Sequence, residues 1–336
     1  MPKESPMQLL VSSKRILFVL VGLTFAFQLF AQDYRVCEYG LKAPVELVMP
    51  RNSFSQCDYS PWILVFDDEF DGNSLDMSKW NYGPRTRYSN NEQQYYTHGE
   101  NIEVSDGTLK LIAKRDTLYA RAADWFDDDE ELYADGKYRG RNLRFFYYTS
   151  ADIETKDKFA YGKYEARIKI PKGKGFWPAF WLFGAEPVYN EIDIFEFWNE
   201  YSNNEFLPDK LSKVDYMTVH YDHDDDGIIT RCGSHYEDVD LSEDFHIYTL
   251  IWEKYRIEWY VDGKLKWTVC RYYNKDGRAT DCFIDAMHEY LLNGLFPQDP
   301  MNIILNFAIQ DGINSPDSIT VFPSQMEVDW VRYYQR

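Results

Sequence analysis

Short segments in which apolar and polar residues alternate follow one another from about Pro61 to the end of the chain. Alternation with a period of two, rich in Val, Ile, Tyr, Phe and Trp, is typical of half-buried β-strands. The pattern therefore predicts a chain built almost entirely from strands. The segments are WILVFDDEF (62–70), NIEVSDGTLKLIAK (101–114), YGKYEARIKI (161–170), FWPAFWLF (176–183), EIDIFEF (191–197), YMTVHYD (216–222), IYTLIWE (247–253), RIEWYVDGKLKWTV (256–269), MNIILNFAI (301–309) and MEVDWVRYY (326–334).

Two tight turns are predicted between neighbouring strands. The sequences SDG (105–107) and VDGK (261–264) each contain Asp-Gly, which readily adopts the positive φ values of a two-residue hairpin. Many strands with few helices favour a sandwich of two sheets or a barrel. We expect an all-β fold.

Three stretches lie outside the alternating pattern. Residues 32–58 are predicted to be an irregular N-terminal extension, residues 116–149 a surface insertion between two strands, and residues 221–244 an acidic connection. The DHDDDG sequence at 222–227 is similar to the start of a calcium loop, but Gly233 occupies the position where such a loop needs a bidentate Glu. We therefore expect solvated loops there.

The first 31 residues have the features of an export signal. Lys14 and Arg15 precede an apolar run over residues 16–30, and Ala31 offers a cleavage point. The run is shorter than the roughly 18 to 20 residues that span a bilayer, although an uncleaved anchor is the alternative. We expect a signal peptide at 1–31, a soluble secreted or periplasmic protein, and one large domain over residues 59–336.

The composition narrows the class of partner. The chain has 36 basic and 55 acidic residues, a formal net charge of −19, and 18% aromatic residues. This charge would repel nucleic acid, anionic lipid and sulfated polysaccharides. We therefore expect a neutral partner, no membrane association once the signal is removed, and a monomer. The surplus of aromatic residues predicts an aromatic binding surface.

All five cysteines follow the predicted signal peptide, and an oxidising compartment permits disulfides. Proximity in the sequence favours Cys37 with Cys57 and Cys270 with Cys282, which leaves Cys232 unpaired. Spacing alone does not decide connectivity, and buried thiols are the alternative. No Cys-x-x-Cys pair or His/Cys cluster indicates a metal or redox centre, so we expect no cofactor for catalysis.

The most informative segment is EIDIFEF, which carries three carboxylates. In a regular strand Glu191 and Asp193 share one face, whereas Glu196 has the opposite parity. One extra residue in a β-bulge around Ile194 and Phe195 would bring all three to one side. Like charges side by side destabilise a sheet and raise a pKa, so a purely structural strand has little reason to hold them.

Glycoside hydrolysis does use such a cluster, because it needs one carboxylate as nucleophile and one protonated carboxyl as acid. Trp177 and Trp181 lie four residues apart just upstream, so they face the same way in a strand, and Trp198 follows the acids. Flat indole rings suit the apolar faces of sugars. The competing interpretations are an exposed acidic strand edge and tryptophans that belong to the core.

These residues resemble glycoside hydrolase family 16, in its bulged E-x-D-x-x-E branch. The resemblance covers most of residues 60–336. It implies an all-β jelly-roll sandwich of two antiparallel sheets with a concave glycan-binding cleft, and hydrolysis of internal β-glycosidic bonds with retention of configuration. It rests on EIDIFEF and the preceding YGKYEARIKIPKGKGFWPAFWLFG, and on FDDEFDG (66–72), NNEQQYYT (90–97), DGTLKLIAK (106–114), FHIYTLIWEKYRIEWYVDGK (245–264) and VDWVRYY (328–334).

The resemblance also implies roles for individual residues. Glu191 would be the nucleophile, Glu196 the general acid/base, and Asp193 the residue between them that orients Glu191. The side chains expected to contact the sugar or lie beside the acid/base are Trp177, Trp181, Asn91, His220 and Trp198.

A structural calcium ion is a further implication of the resemblance. Its ligands would be the carboxylates of Glu69 and Asp329 and the carbonyl oxygen of Gly107. An ordinary salt bridge or a hydrogen-bonded turn is the alternative at these positions.

Within the family, the chain looks most like endo-β-1,3-glucanases of the laminarinase kind. Two departures bear on the substrate: Ala151 and Asp152 stand where laminarinases usually have Gly-Arg, and AIQDG (308–312) replaces their Gly-Gly loop. The leading prediction is hydrolysis of β-1,3- or mixed β-1,3/1,4-glucan. The alternatives are a hydrolase of a marine galactan (agar, porphyran or carrageenan), a transglycosylase, and a non-catalytic glycan-binding module whose cleft the insertion at 116–149 blocks.

Overall fold

The structure is a computed structural model. The predicted signal peptide, the acidic sequence at 222–227 and Trp198 lie outside the described residues. Within the described part, the chain forms no helix with the length and hydropathy of a membrane span. The described residues are 58–134, 136–186, 188–197, 212–221, 229–274, 287–293 and 296–336, together with the strands at 34–39, 45–48, 54–55 and 283–284.

Strands account for nearly all of the regular structure in these residues. The first twelve, in chain order, are β1 (Tyr34–Tyr39), β2 (Val45–Val48), β3 (Phe54–Ser55), β4 (Ile63–Asp68), β5 (Trp80–Tyr82), β6 (Tyr95–Tyr96), β7 (Ile102–Ser105), β8 (Thr108–Arg121), β9 (Glu131–Ala134), β10 (Lys137–Arg141), β11 (Leu143–Ser150) and β12 (Asp152–Thr155). The others are β13 (Gly162–Lys169), β14 (Phe176–Gly184), β15 (Asn190–Glu196), β16 (Val214–Tyr221), β17 (Ile229–Tyr236), β18 (His246–Trp252), β19 (Arg256–Val261), β20 (Lys264–Cys270), β21 (Tyr272–Asn274), β22 (Phe283–Ile284), β23 (Tyr290–Asn293), β24 (Asn302–Ile309) and β25 (Ser324–Gln335). A short 3₁₀ helix, η1 (Gly312–Asn314), follows β24.

Two large sheets form the predicted jelly-roll sandwich. The front sheet has the order β1-β17-β16-β15-β14-β24-β12-β5. The back sheet has the order β20-β19-β18-β13-β25-β8-β11-β6, with β4 beside β25 and β7 beside β8. Neighbouring strands are antiparallel, as in β14 with β15 and β13 with β25, except for the short parallel pair of β6 and β11.

One hydrophobic core fills the space between the sheets. Its members include Leu182 and Ile192 from the front sheet and Leu250, Trp252 and Tyr333 from the back sheet, all without measurable exposure. Buried and half-buried positions alternate along β13, as the sequence pattern predicts. Apolar burial of this extent is the main stabilising contribution to a fold without helices.

Both predicted Asp-Gly turns are confirmed. Asp106 and Gly107 have φ values of 55° and 75°, and Asp262 and Gly263 have φ values of 49° and 72°. Two successive positive φ values are the geometry of the hairpin turn whose twist matches the flanking strands.

Two stretches predicted to be irregular contain strands, so those predictions are wrong. Within residues 32–58, β1 pairs with β17 at the edge of the front sheet, β2 pairs with β23 and β3 with β22. Within residues 221–244, β17 pairs with β16 over its full length. The sequence reading failed because these short strands are stabilised by distant partners, which local alternation does not reveal.

The cysteine pairing predicted from sequence proximity is also wrong. Cys232 takes part in a disulfide, and the residue opposite it in the β1–β17 register is Cys37. Cys270 retains a buried thiol, and burial raises its pKa to about 11. Strand pairing, rather than distance along the chain, therefore decides which cysteines lie opposite each other.

The insertion at 116–149 is an extension of the back sheet. Strands β8 and β11 continue into it as a pair, and β9 and β10 add a separate hairpin. Ala122, Leu132 and Phe146 form a small hydrophobic cluster of their own. The insertion is thus a folded unit with its own core.

The predicted β-bulge in β15 is confirmed. Phe195 lies opposite Phe180 and Asp193 opposite Trp181, so Ile194 has no counterpart on β14. The same extra residue shifts the register against β16. Ile194 and Phe195 are consecutive and both are buried in the core, which a regular strand would not allow.

A hydrogen bond from the back sheet supports this bulge. The indole Nε1 of Trp259 in β19 donates to the backbone carbonyl of Asp193 at 2.8 Å. Trp259 is held in place by Trp267, whose ring centroid lies 4.5 Å away. The bond gives the carbonyl a partner across the core, where an unpaired backbone group would be costly.

We predict that Trp259→Phe destabilises the fold by about 1–3 kcal/mol more than Trp267→Phe, because it leaves the buried Asp193 carbonyl without its donor. Both substitutions replace a buried indole in the same stacked pair, so the difference reports the hydrogen bond. Urea unfolding of the two variants measures it. Equal losses would show that the bond contributes nothing beyond ring packing.

Candidate active site

A cleft of about 810 Å³ runs over the outer face of the front sheet. Strands β14 to β17 form its floor, and loops before β6 and after β24 form its walls. Lys137 of the insertion reaches one wall. The other lining residues are Asn90, Asn91, Trp177, Tyr189, Glu191, Glu196, Tyr216, Thr218, His220, Thr230, Cys232, Gly233, Ser234, Gln310, Asp311, Gly312, Ile313 and Asn314.

The three predicted catalytic carboxylates lie together on this floor. Glu191 and Glu196 line the cleft, and Asp193, only 3% exposed, lies between them on β15. The bulge after Asp193 returns Glu196 to the cleft side, because its odd residue reverses the parity of the strand. The backbone shape predicted from the sequence is therefore what assembles the cluster.

Glu191 and Glu196 have different partners. The Tyr189 hydroxyl donates to Glu191 Oε2, whereas Trp177 Nε1 donates to Glu196 Oε1 at 2.9 Å. Trp177 belongs to β14, which pairs with β15, and Tyr189 directly precedes β15. The two carboxyl groups can therefore perform different tasks although they share a strand.

His220 in β16 is the cation of the cluster. Its Nε2 lies 3.8 Å from Glu191 Oε1 and 3.5 Å from Asp193 Oδ2. On the other side of the ring, Nδ1 lies 2.7 Å from the Thr230 hydroxyl in β17. His220 thus offsets part of the charge of the acids and is oriented by the next strand.

Burial and charge together raise the pKa values of the cluster. Burial, followed by the charge of Asp193, raises the pKa of Glu191 to about 7, against the opposing effects of His220 and Tyr189. Burial and the charges of Asp193 and Glu191 raise the pKa of Glu196 well above its usual range. Burial alone would lower the pKa of His220, but the neighbouring carboxylates raise it to about 9. Glu196 is therefore the acid best suited to hold a proton at neutral pH.

The cluster also has the composition of a metal site. Glu191, Asp193 and His220 can each offer one ligand atom within 4.8 Å of the others, and no second group of this kind occurs among the described residues. The separations of 3.8 and 3.5 Å between His220 Nε2 and the two carboxylates are those of ion pairs. We therefore describe the arrangement as an ion-paired cluster.

The residues of the predicted calcium site have other partners. Glu69 accepts two hydrogen bonds from Arg332, at 2.7 and 2.8 Å. Asp329 pairs with Arg167 at 2.5 Å, and Gly107 lies in the β7–β8 turn. Each carboxylate is thus neutralised by an arginine, as in the salt-bridge alternative. Calcium binding at these positions stays a prediction.

Two of the predicted sugar contacts line the cleft, and a third does not. Asn91 and Trp177 line the cleft. Trp181 is only 7% exposed, and the Arg87 guanidinium lies 4.5 Å from its ring centroid. Its Nε1 donates to Asn306 Oδ1 at 2.8 Å. Trp181 thus shares the cleft-side face of β14 with Trp177 but is covered by Arg87, and its contact with sugar stays a prediction.

Arg87 is an important residue that sequence reasoning missed. Its Nε and Nη2 lie 3.0 and 2.9 Å from Asp152 Oδ2, and Asp152 is fully buried at 1% exposure. A Cβ at Gly83 would lie 2.1 Å from Asp152 Oδ1, so only glycine leaves room for this carboxylate. Asp152, which stands where laminarinases usually have an arginine, is therefore paired with Arg87 from the loop after β5.

Tyr189 and Thr230 were also missed, and for a clear reason. Tyr189 directly precedes the acidic motif, and this proximity was the available signal. Thr230 belongs to a stretch that was predicted to be irregular, so its pairing with His220 could not be foreseen. Contacts of this kind depend on strand register.

Comparisons with known proteins agree with this architecture. A family model described as glycosyl hydrolases family 16 matches residues 89–332. The chain is 31% identical over 295 residues to a glucan endo-1,3-beta-glucosidase A1 of Niallia circulans, covering 81% of this chain but only 38% of that relative. It is 32% identical over 295 residues to a beta-glucanase of Rhodothermus marinus, covering 82% of this chain and 85% of that relative.

Solved structures give the same result for the fold. A structure reported for endo-acting O-glycanases of the human gut microbiota that initiate mucin breakdown has a TM-score of 0.62 and 28% identity, and covers 82% of this chain and 91% of that one. The catalytic domain of an endo-1,3-beta-glucanase (laminarinase) from Thermotoga petrophila has a TM-score of 0.57 and 29% identity, and covers 82% and 98%. The chain belongs to glycosyl hydrolases family 16 and is a glycoside hydrolase.

Proposed function

We propose that this chain is an exported endo-acting hydrolase that cleaves internal β-1,3 or mixed β-1,3/1,4 linkages of a neutral glucan with retention of configuration. The observation that carries the proposal is the pair of carboxyl groups, Glu191 and Glu196, on the floor of an open cleft with different hydrogen-bond donors. The involvement of Cys232 in a disulfide supports an oxidising compartment.

In the first step, Glu191 attacks the anomeric carbon and the bond to the leaving oxygen breaks. Glu196 gives its proton to that oxygen, and a glycosyl ester of Glu191 forms. Burial, followed by the charges of Asp193 and Glu191, raises the pKa of Glu196. The Glu196 carboxyl group therefore still holds the proton at neutral pH. His220 and Tyr189 stabilise the ionised form of Glu191 before attack.

In the second step, water takes the place of the leaving group. Formation of the ester removes the negative charge of Glu191, which is one of the charges that raise the pKa of Glu196. The pKa of Glu196 therefore falls, and the carboxylate left by the first step stays ionised until it accepts a proton from the attacking water. The water oxygen bonds to the anomeric carbon, the ester breaks, and Glu191 is restored. A sugar hydroxyl in place of water would give transglycosylation by the same route.

The choice of glucan rests on relatives and on charge. Two relatives named above, a glucan endo-1,3-beta-glucosidase and a beta-glucanase, are 31% and 32% identical to this chain. Both names indicate a glucan substrate for those relatives. The net charge of −19 disfavours polyanionic substrates. The chain spans 38% of the length of the first relative. Glucan hydrolysis by this chain is therefore a proposal and is not taken over from that longer protein.

Hydrolysis of a galactose-containing glycan is the second candidate. The likeness to a structure reported for endo-acting O-glycanases that initiate mucin breakdown favours a glycan other than glucan. Asp152 in place of the usual arginine weakens the glucan assignment, but it also counts against sulfated galactans. A non-catalytic glycan-binding module is disfavoured, because all three acids are present and the insertion leaves a cleft of about 810 Å³.

We predict rapid release of reducing ends from laminarin and mixed-linkage β-glucan. The mature protein would be incubated with these two and with agarose, porphyran, κ-carrageenan, keratan sulfate and mucin O-glycans. Activity confined to a galactose-containing polymer would establish the second candidate instead. No release from any polymer would contradict the hydrolase proposal.

We predict that Glu191→Gln lowers kcat by on the order of 10⁴-fold or more on every active substrate, because the nucleophile is lost. Glu196→Gln should lower kcat/KM by roughly 10²–10⁴-fold on polymer, and less on an aryl glycoside whose leaving group needs no proton. Steady-state kinetics on both substrates measure this. Glu103→Gln on β7 is the folded control, and wild-type rates in either cleft variant would contradict the assigned roles.

We predict that Tyr189→Phe shifts the acid limb of the kcat/KM profile to higher pH by about one unit, because it removes a hydrogen bond to ionised Glu191. The pKa of Glu191, already raised to about 7 by burial and Asp193, then rises further, so activity falls more at pH 6 than at pH 8. Tyr260→Phe is the matched control, since Tyr260 donates to Glu258, also two residues away, in the back sheet. An unshifted limb in Tyr189→Phe would show that this bond does not act on the nucleophile.

A further inference from the structure

The insertion at 116–149 forms one side of a second cavity, of about 270 Å³. We call it the insertion cavity. It is polar on balance, and its volume approaches the lower limit, roughly 300 Å³, of small-ligand sites. Its lining includes Tyr138, Arg139, Arg144, Phe145, Tyr147 and Asp311.

The insertion cavity adjoins the catalytic cleft. Asp311 lines both spaces. Arg139 joins their walls, because its Nη1 lies 2.9 Å from Asp311 Oδ2 and its Nη2 donates to Asn91 Oδ1 at 2.7 Å. Asn91 itself lines the cleft. Arg139 and its two partners therefore mark the boundary between the two neighbouring spaces.

Arg144 gives the cavity a positively charged hydrogen-bond donor. Its guanidinium lies 4.9 Å from the Phe146 ring centroid and donates to the Arg141 carbonyl at 3.3 Å. Among the described residues it has no carboxylate within 4.0 Å, unlike Arg139. Gly140, with a φ of 108°, leaves space for it, since a Cβ there would lie 3.1 Å from Arg144 Cδ. The guanidinium thus keeps N–H groups available for a ligand.

An exposed aromatic side chain lines the cavity together with Arg144. Tyr138 on β10 is 55% exposed. Its ring centroid lies 5.5 Å from that of Tyr133, which is also exposed. Rigid aromatic rings give contact area at a small entropic cost, and rings next to hydrogen-bond donors suit a sugar, which has apolar ring faces and polar edges.

The insertion is rigid enough to present these groups. Asn142 is fully buried, and its amide Nδ2 donates to the carbonyls of Ala123 and Phe126 at 3.0 and 2.9 Å. Its Oδ1 accepts from the Ala123 amide at 2.9 Å. These bonds and the cluster around Phe146 fix the base of the β9–β10 hairpin.

We propose that the insertion cavity is an additional subsite, which binds a distal sugar unit of the same glycan chain that occupies the catalytic cleft. The proposal rests on the proposed endo-glycosidase function. It explains why an insertion with its own core places hydrogen-bond donors and exposed rings next to the cleft. Long substrates would gain affinity from it, whereas oligosaccharides that fill only the cleft would not.

The test compares Arg144→Gln and Tyr138→Ala on polymer and on oligosaccharides of increasing length. We expect kcat/KM on polymer to fall about tenfold, the effect of roughly 1.4 kcal/mol, with less than a twofold change on the shortest cleaved oligosaccharide. Trp125→Ala is the matched control, because Trp125 is an exposed aromatic of the insertion, at 67%, outside the cavity lining. An equal loss at all lengths, or none in either variant, would overturn the proposal.

A binding measurement separates this proposal from the proposed function. Glu191→Gln protein, with and without Arg144→Gln, would be run in native gels containing each polymer of the activity panel. Retardation that Arg144→Gln weakens would support the subsite even if the parent hydrolyses none of the glucans. Retardation that is unaffected, or absent with every polymer, would overturn it.

Discussion

The arrangement of the active site depends on one extra residue in β15. Without the bulge, Glu196 would point into the core, and burying an unpaired charge there costs several kcal/mol. With it, Ile194 and Phe195 both pack in the core and the acid returns to the cleft. The bulge is stabilised from the opposite sheet, through the bond from Trp259 to the Asp193 carbonyl. The back sheet therefore shapes a site to which its central strands contribute no lining residue.

Crowding three acids creates the chemical asymmetry that hydrolysis needs. Burial disfavours every charge in the cluster, and the acids disfavour one another. His220 contacts Glu191 and Asp193, whereas Glu196 has the neutral donor Trp177. The cation and the Tyr189 hydroxyl thus favour ionisation at one end of the cluster, and protonation is left to the other end. The positions of the neighbouring donors, more than the acids themselves, distinguish nucleophile from acid.

The sequence predicted those features that are encoded locally. Period-two alternation located the long strands, Asp-Gly located the hairpins, and the parity of Glu196 required a bulge. The prediction failed where a distant partner decides the structure. Proximity in the sequence left Cys232 unpaired, but its position on β17 places it opposite Cys37 on β1. The arginine partners of Glu69 and Asp329 are likewise distant in the sequence or on another strand, and calcium binding there stays a prediction.

The departure at Asp152 shows how a change in one strand is accommodated by another segment. The sequence lacks an arginine on β12, which weakened the expectation of a cationic group near the cleft. The structure has a guanidinium at this level of the sheet, but it comes from Arg87 in the loop after β5, over Trp181 and paired with Asp152. The guanidinium therefore comes from a loop and is paired with the buried Asp152 carboxylate. Because Arg87 is among the charges that oppose the effect of burial on the pKa of Glu191, this loop supports the ionised form of Glu191. Substrate preference in this chain should then depend on that loop and on the insertion beside it, more than on β12 itself.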